Sequence, residues 1–222
     1  MFIRQRLFIS YLVVVLTPIL FLSCLFFINS KKSLEEAEFE KLRGIAELKV
    51  KNIETIFSVL RQDITIAQDY YNIKLNLPIL INFKDDETNP AYIKAKDMLF
   101  GQLRWLVVNR GLLDLKLIDL EGRIVYSINK KHDELEKGKT AAYFSKSEWQ
   151  KGVRFSDIFV HMDHYAMLIS APAYDLQNNP SGFIVFEVDM EPIYETIQGT
   201  TGLGKTGETL IGKKIATGAL FL

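Results

Sequence analysis

Along this chain the spacing of hydrophobic and polar positions changes from segment to segment, and each change marks an element. Leu7 to Ile28 carries no charged residue over 22 positions. At about 1.5 Å rise per residue a helix of that length reaches roughly 33 Å, enough to cross a hydrocarbon core of about 30 Å. From Ser33 to Tyr71 apolar residues recur in steps of three and four, at Leu42, Ile45, Ile53, Ile56, Phe57, Leu60, Ile64, Ala67 and Tyr71. That is the stripe of an amphipathic helix. Ser33 ahead of Leu34-Glu35-Glu36 is the expected N-cap. Asn76-Leu77-Pro78 and the run Asp85 to Pro90 read as breaks, and a second helix is expected over 91–108 with Gly111 as its stop.

Beyond Gly111 the period falls to two. Asp114 to Leu120, the pair Glu121-Gly122, and Arg123 to Ser127 read as a β-hairpin. A charged loop over 129–139 and a short helix over 142–150 are expected next. Strands follow at 153–160, 165–171 and 182–188, with turns at Asp163-His164 and Gln177 to Gly182. Glu191-Pro192 opens a short helix to Gln198. Strands arriving as hairpins give an antiparallel sheet with helices segregated to one side. The expected fold class is α+β.

Composition narrows the role. Lys plus Arg and Asp plus Glu both number 27, so no basic field attracts nucleic acid. The single cysteine, Cys24, lies inside the apolar run and forms no intrachain disulfide. The run is longer than a signal-peptide core and lacks an Ala-x-Ala-like exit. Phe21-Leu22-Ser23-Cys24 loosely resembles a lipoprotein site, but apolar Leu25 to Ile28 follows it. A retained membrane anchor is the expectation, with residues 1–6 cytoplasmic and the rest outside. Arg4 and Arg6 favour that orientation, and Lys31 and Lys32 nearly cancel the bias.

Four groups of residues carry candidate chemistry. Gly199 to Thr206 fits G-x-x-x-x-G-K-[ST], which would place Lys205 on terminal phosphates and Thr206 on Mg²⁺. The pattern needs a strand before it and a helix after it, and neither is expected here. His161-Met162-Asp163-His164 brings three possible metal ligands together, fewer than a tetrahedral zinc site needs, and a polar turn explains it more simply. Trp149, Arg154, Asp157 and Tyr165 combine aromatic walls with a cation and an anion, as a pocket for a small polar or carboxylate ligand requires. The alternative is a surface Arg–Asp pair beside ordinary core aromatics. Catalytic motifs of the G-x-S-x-G or H-E-x-x-H kind are absent from the sequence, so no catalytic residue, metal or cofactor is assigned.

Three stretches carry a family resemblance: Leu117 to Tyr126, Ser170 to Asp175, and Gly202 to Thr209. On these the chain resembles the extracytoplasmic double Cache (PAS-like) sensor domains of bacterial transmembrane receptors. The resemblance implies a membrane-distal sensor unit over 33–198, and over 199–222 the start of a membrane-proximal unit that is cut short. It implies a small-molecule ligand of unknown class, with Tyr174 and Asp175 joining Trp149, Arg154, Asp157 and Tyr165 as ligand-binding candidates. It also implies a homodimer in the inner membrane that signals through helices to a kinase, cyclase or chemotaxis output. The fixed Arg–aromatic–Asp arrangement of amino-acid-binding members is not matched by the spacing here. The competing readings are a nucleotide-binding protein using Gly199 to Thr206 and a stalked module that binds another protein.

Overall fold

Nothing in Asn29-Ser30-Lys31-Lys32 stops a helix, and none stops. In the computed structural model, which describes residues 3–129, 152–161, 164–200, 203, 209, 212–215 and 218–221, helix α1 spans Ile3–Gln68 without interruption. Ser33 is therefore an interior residue and not the expected N-cap. Lys31–Glu35 and Lys32–Glu36 pairs at i,i+4 spacing bridge the place where the break was expected. Pro18 lies within α1. The chain divides into two compact units, Met1–Lys51 with Thr200–Glu208, and Asn52–Gly199 with Thr209–Leu222. In the first, α1 is the one described helix long and apolar enough to cross a membrane. Cys24 in it is exposed.

The second unit holds the folded core. A turn at Asp69 ends α1 three residues earlier than the periodicity implies. Helix α2 (Tyr71–Asn82) then runs through Pro78, against the expected break at 76–78. Proline costs α2 a backbone donor. Against that, Ile73, Leu77 and Leu80 are fully buried, and each fully buried aliphatic side chain is worth about 1.5–3 kcal/mol. Burial wins. Helix α3 (Pro90–Arg110) begins as expected: the Asn89 side chain accepts from Ala91 N–H, and Gly111 closes it at φ 62°. Arg110 on α3 pairs with Asp63 on α1 at 2.7 Å.

Strands β1 (Leu112–Ile118) and β2 (Ile124–Ser127) form the expected hairpin. The single strand expected over 153–160 divides into β3 (Arg154–Phe155) and β4 (Phe159–His161), and both pair with β5 (His164–Tyr174). Strand β6 (Pro180–Asp189) sits centrally, and helix α4 (Glu191–Gln198) follows it. Every pairing is antiparallel, in the order β2-β1-β6-β5-β3. A separate hairpin, β7 (Gly212–Ile215) with β8 (Gly218–Phe221), closes the described chain.

Alternation along the strands sorts side chains onto two faces. One face sends Leu115, Leu117, Ile169, Ile184 and Phe186 into a core shared with α1, α2, α3 and α4. The other carries a smaller cluster of Ile118, Leu168, Phe183 and Val185. Gly182 is required where β6 passes the end of β1: a Cβ there would stand 2.1 Å from the Ile118 carbonyl oxygen. The fold is α+β, as expected.

Candidate functional site

Register determines what the second face of the sheet presents. Ser127 lies opposite Lys116, Lys116 opposite Val185, Val185 opposite Ser170, and Ser170 opposite Arg154. Directly paired residues share a face. A row with four polar members therefore crosses five of the six strands of the sheet. The neighbouring row sets Asp114 opposite Glu187 and Glu187 opposite Leu168. A bulge between Leu112 and Asp114 brings Asp114 into that register.

These groups are withdrawn from water. Lys116 is 1% exposed, and Glu187 and Asp114 are 0% exposed. The Lys116 ammonium donates to Glu187 Oε2 at 2.9 Å and stands 4.0 Å from Asp114 Oδ2. Asp114 accepts from the Ser127 hydroxyl at 2.7 Å and from the backbone N–H groups of Leu115, Ile128 and Asn129. Burial pushes its carboxyl above the ordinary 3.8, and the bonds from Asn129 and Ser127 oppose that shift. Asp114 thereby fixes the chain as it leaves β2. The cluster holds two carboxylates against one ammonium, with hydroxyls at Ser127 and Ser170 beside it.

The six residues expected from the sequence fall into separate places. Arg154 is on the polar row, half-buried. Asp157 is exposed in the link between β3 and β4. Tyr165 stacks on Tyr194 of α4, ring centroids 5.2 Å apart, and with Glu191 and Gln198 lines a cleft of about 430 Å³. Burial, with Tyr165 and Glu191 nearby, raises the Tyr194 phenol above its ordinary value. Tyr174 and Asp175 stand at the opposite end of β5. Nine residues of strand separate Tyr165 from Tyr174, about 30 Å, so one small ligand does not touch both. Asp175 is a turn residue: it accepts from Gln177 N–H and from Asn179 N–H and Nδ2, and the Asn179 side chain foremost lowers its carboxyl. Trp149, the helix over 142–150 and the loop over 130–139 lie outside the described residues.

The other motifs are placed as follows. Gly199 to Thr206 begins as the C-cap of helix α4, and the next described strand is β7; Lys205 and Thr206 lie outside the described residues. A helix precedes it, where a phosphate loop needs a strand. His161 and His164 pair across β4 and β5, and Met162 and Asp163 lie outside the described residues. Among the described residues no group of three or more His, Cys, Asp or Glu could hold a metal ion.

An antiparallel sheet covered on one face by helices, the first of them long and N-terminal, with a hairpin-rich return, defines the Cache sensor fold. The sensory domain of the Campylobacter jejuni chemoreceptor Tlp3, solved with isoleucine bound, is similar over 75% of this chain and 65% of that one, at 12% identity and a TM-score of 0.53. The ligand-binding domain of the Pseudomonas aeruginosa amino acid chemoreceptor PctC, solved with GABA, matches over 73% of this chain and 66% of its own, at 16% identity and a TM-score of 0.48. The sensor domain of the V. cholerae histidine kinase DctB matches over 76% and 60%, at 16% identity and a TM-score of 0.48. The chain thus spans less than two thirds of each of these structures. No family model matches it, and no curated protein does. The likeness to the Tlp3 domain establishes the fold alone; the ligand is a separate question.

Proposed function

We propose that this chain is the anchored input end of a bacterial receptor that binds a small molecule on the second face of its sheet. The observation that carries the reading is the buried set Lys116, Glu187 and Asp114 with Ser170 and Arg154 alongside. A buried ion pair is poor value as a stabiliser, because desolvating two charges offsets much of their attraction. Its retention on one face, beside hydroxyls and a guanidinium, fits a floor that offers both charge signs to a polar ligand. The apolar stretch of α1 is long enough to hold such a module at a membrane.

In this reading the N-terminus is cytoplasmic, the sensor unit covers 33–198 outside the inner membrane, and 199–222 begins a second, membrane-proximal unit. The chain works as a homodimer and is not itself catalytic. Ligand affinity that differs between two arrangements of α1 drives the signal to a kinase, cyclase or chemotaxis partner. Of the residues expected from the sequence, Arg154 contacts ligand from the polar row, with Trp149 and Asp157 nearby in the chain. Tyr165 belongs to the cleft beside Tyr194.

A thermal-shift screen of the full chain in detergent against amino acids, organic acids, amines and purines tests the reading. One class should raise the melting temperature in proportion to log concentration, and Arg154→Ala should reduce the response. If no class does so, the reading is lost. Weight then moves to a protein-binding module, for which the exposed Phe100, Trp105 and Val108 of α3 speak.

A further inference from the structure

We propose that a cleft at the open edge of β2 is a second binding site, for a small oxyanion (a carboxylate or phosphate), with the Tyr126 hydroxyl and the Lys96 ammonium as its donors. Among the described residues β2 pairs only with β1, so its outer edge borders this cleft. The cleft is lined by Lys84, Glu87, Tyr92, Lys96 and Tyr126 and has a volume of about 170 Å³. That is below the roughly 300–1,000 Å³ of pockets for drug-sized ligands, so a ligand of a few heavy atoms is what fits.

Tyr126 is 4% exposed, and its hydroxyl has no hydrogen-bond partner. Leaving a buried donor unpaired is costly, and a ligand oxygen would recover that cost. Burial, with Asp97 and Asp114 next in effect, pushes the phenol up to about 12, so it holds its proton at neutral pH. The Lys96 ammonium stands 4.0 Å from Glu87 and 5.7 Å from the Tyr92 ring, beyond hydrogen-bond distance of that carboxylate. The ammonium is partly exposed and has donors to offer a ligand. Lys84 is held at 3.3 Å by Asp119, whose oxygens also accept from Arg123 and from the backbone of Glu121 and Arg123. Of the lining residues, Lys84 and Lys96 bring ammonium groups and Glu87 a carboxylate; Lys84 is engaged by Asp119 and Asp97 acts on the phenol from nearby, so Lys96 is the cation left to meet a ligand. A phenol donor at the base and an ammonium donor at the mouth suit an acceptor-only ligand. Ser127, the end of the polar row, also borders the cleft, but neither of the two proposed donors belongs to that row.

The experiment is calorimetric titration of the full chain in detergent with sodium phosphate and sodium acetate, against sodium chloride of equal ionic strength. Phosphate, acetate or both should bind, and whichever does identifies the oxyanion. Tyr126→Phe, which removes one oxygen, should weaken that binding roughly tenfold, the effect of one hydrogen bond to a charged group. Lys96→Gln, at a half-buried position of α3, should weaken it as well, and keeps the test open if Tyr126→Phe misfolds. Arg104→Gln, an exposed cation of α3 that does not line the cleft, should leave the titration unchanged, which separates this site from general attraction of anions to α3. The proposal is overturned if neither anion binds beyond chloride, or if Tyr126→Phe and Lys96→Gln bind as the parent does. The hydroxyl would then belong to a trapped water.

Discussion

The two faces of the sheet are made by alternate residues of the same strands, yet they are built on opposite principles. The helix-covered face is apolar apart from the Tyr126 hydroxyl, with Leu115, Leu117, Ile169, Ile184 and Phe186 all buried. The second face interleaves Ile118, Leu168, Phe183 and Val185 with Lys116, Glu187, Asp114 and Ser170, equally buried. Stability explains the first face. It does not explain the second, since well-packed hydrophobic residues in place of a buried ion pair often leave a protein as stable or more so. The comparison teaches that one face holds the fold, while the other keeps buried charges that stability does not explain and that the proposed ligand site would use.

The largest effect that would sharpen the comparison is on the helix-covered face. Phe186→Ala should destabilise the unit by about 3–5 kcal/mol in denaturant unfolding, by lost transfer energy and the cavity left behind. An effect below about 1 kcal/mol would mean that this face is not the core. Next comes the charge pair. Lys116→Ala leaves Glu187 buried without its cation and should cost a similar 3–5 kcal/mol, whereas the double variant Lys116→Met with Glu187→Leu should be close to neutral. The double variant should also lose any ligand-induced rise in melting temperature. If it keeps the rise, the second face is not where the ligand binds. A smaller effect tests how the sheet is closed. Gly182→Ala should cost about 1–3 kcal/mol, because its Cβ would meet the Ile118 carbonyl at 2.1 Å and the strands must part. Unchanged stability would show that β1 and β6 can separate there at no cost.

Much of this architecture was legible in the residues. The switch from three-and-four spacing to alternation located α3, the β1–β2 hairpin and β6, because amphipathic periods reflect burial directly. Asn89-Pro90 and Gly111 marked the ends of α3 through backbone chemistry that tertiary contacts do not override. The continuity of α1 across Ser33 was not legible, since a good cap residue caps only where the chain before it leaves the helix. Nor was α2, where buried Ile73, Leu77 and Leu80 outweigh Pro78. The polar row was hidden for a different reason. Asp114-Leu115-Lys116-Leu117 alternates as a strand with one wet face does, and nothing in alternation separates a wet face from a covered polar one. The signal that could have found it was the charge sign: Lys116 and Glu187 carry opposite charges at diagonal positions of neighbouring strands, a relation readable once register is known.

The smallest expected effect is the most specific to the covered face. Burial raises the Asp114 carboxyl above the 3.8 of an exposed aspartate. Between 3.8 and that raised value the native chain holds a proton that the unfolded chain releases, so the native state binds more protons. Under linkage, stability then falls as pH rises through the window and is greatest below it. This is the reverse of a salt-bridged surface carboxylate, whose lowered value makes stability fall on acidification. Asp114→Asn cannot ionise and removes the contribution. Subtracting the variant's urea midpoints from the parent's, across acid to neutral pH, should give a difference that declines with rising pH. A difference that rises instead would mean that Lys116 and the N–H groups of Leu115, Ile128 and Asn129 outweigh burial at Asp114. The second face would then hold a satisfied anion, with less need of a ligand to complete it.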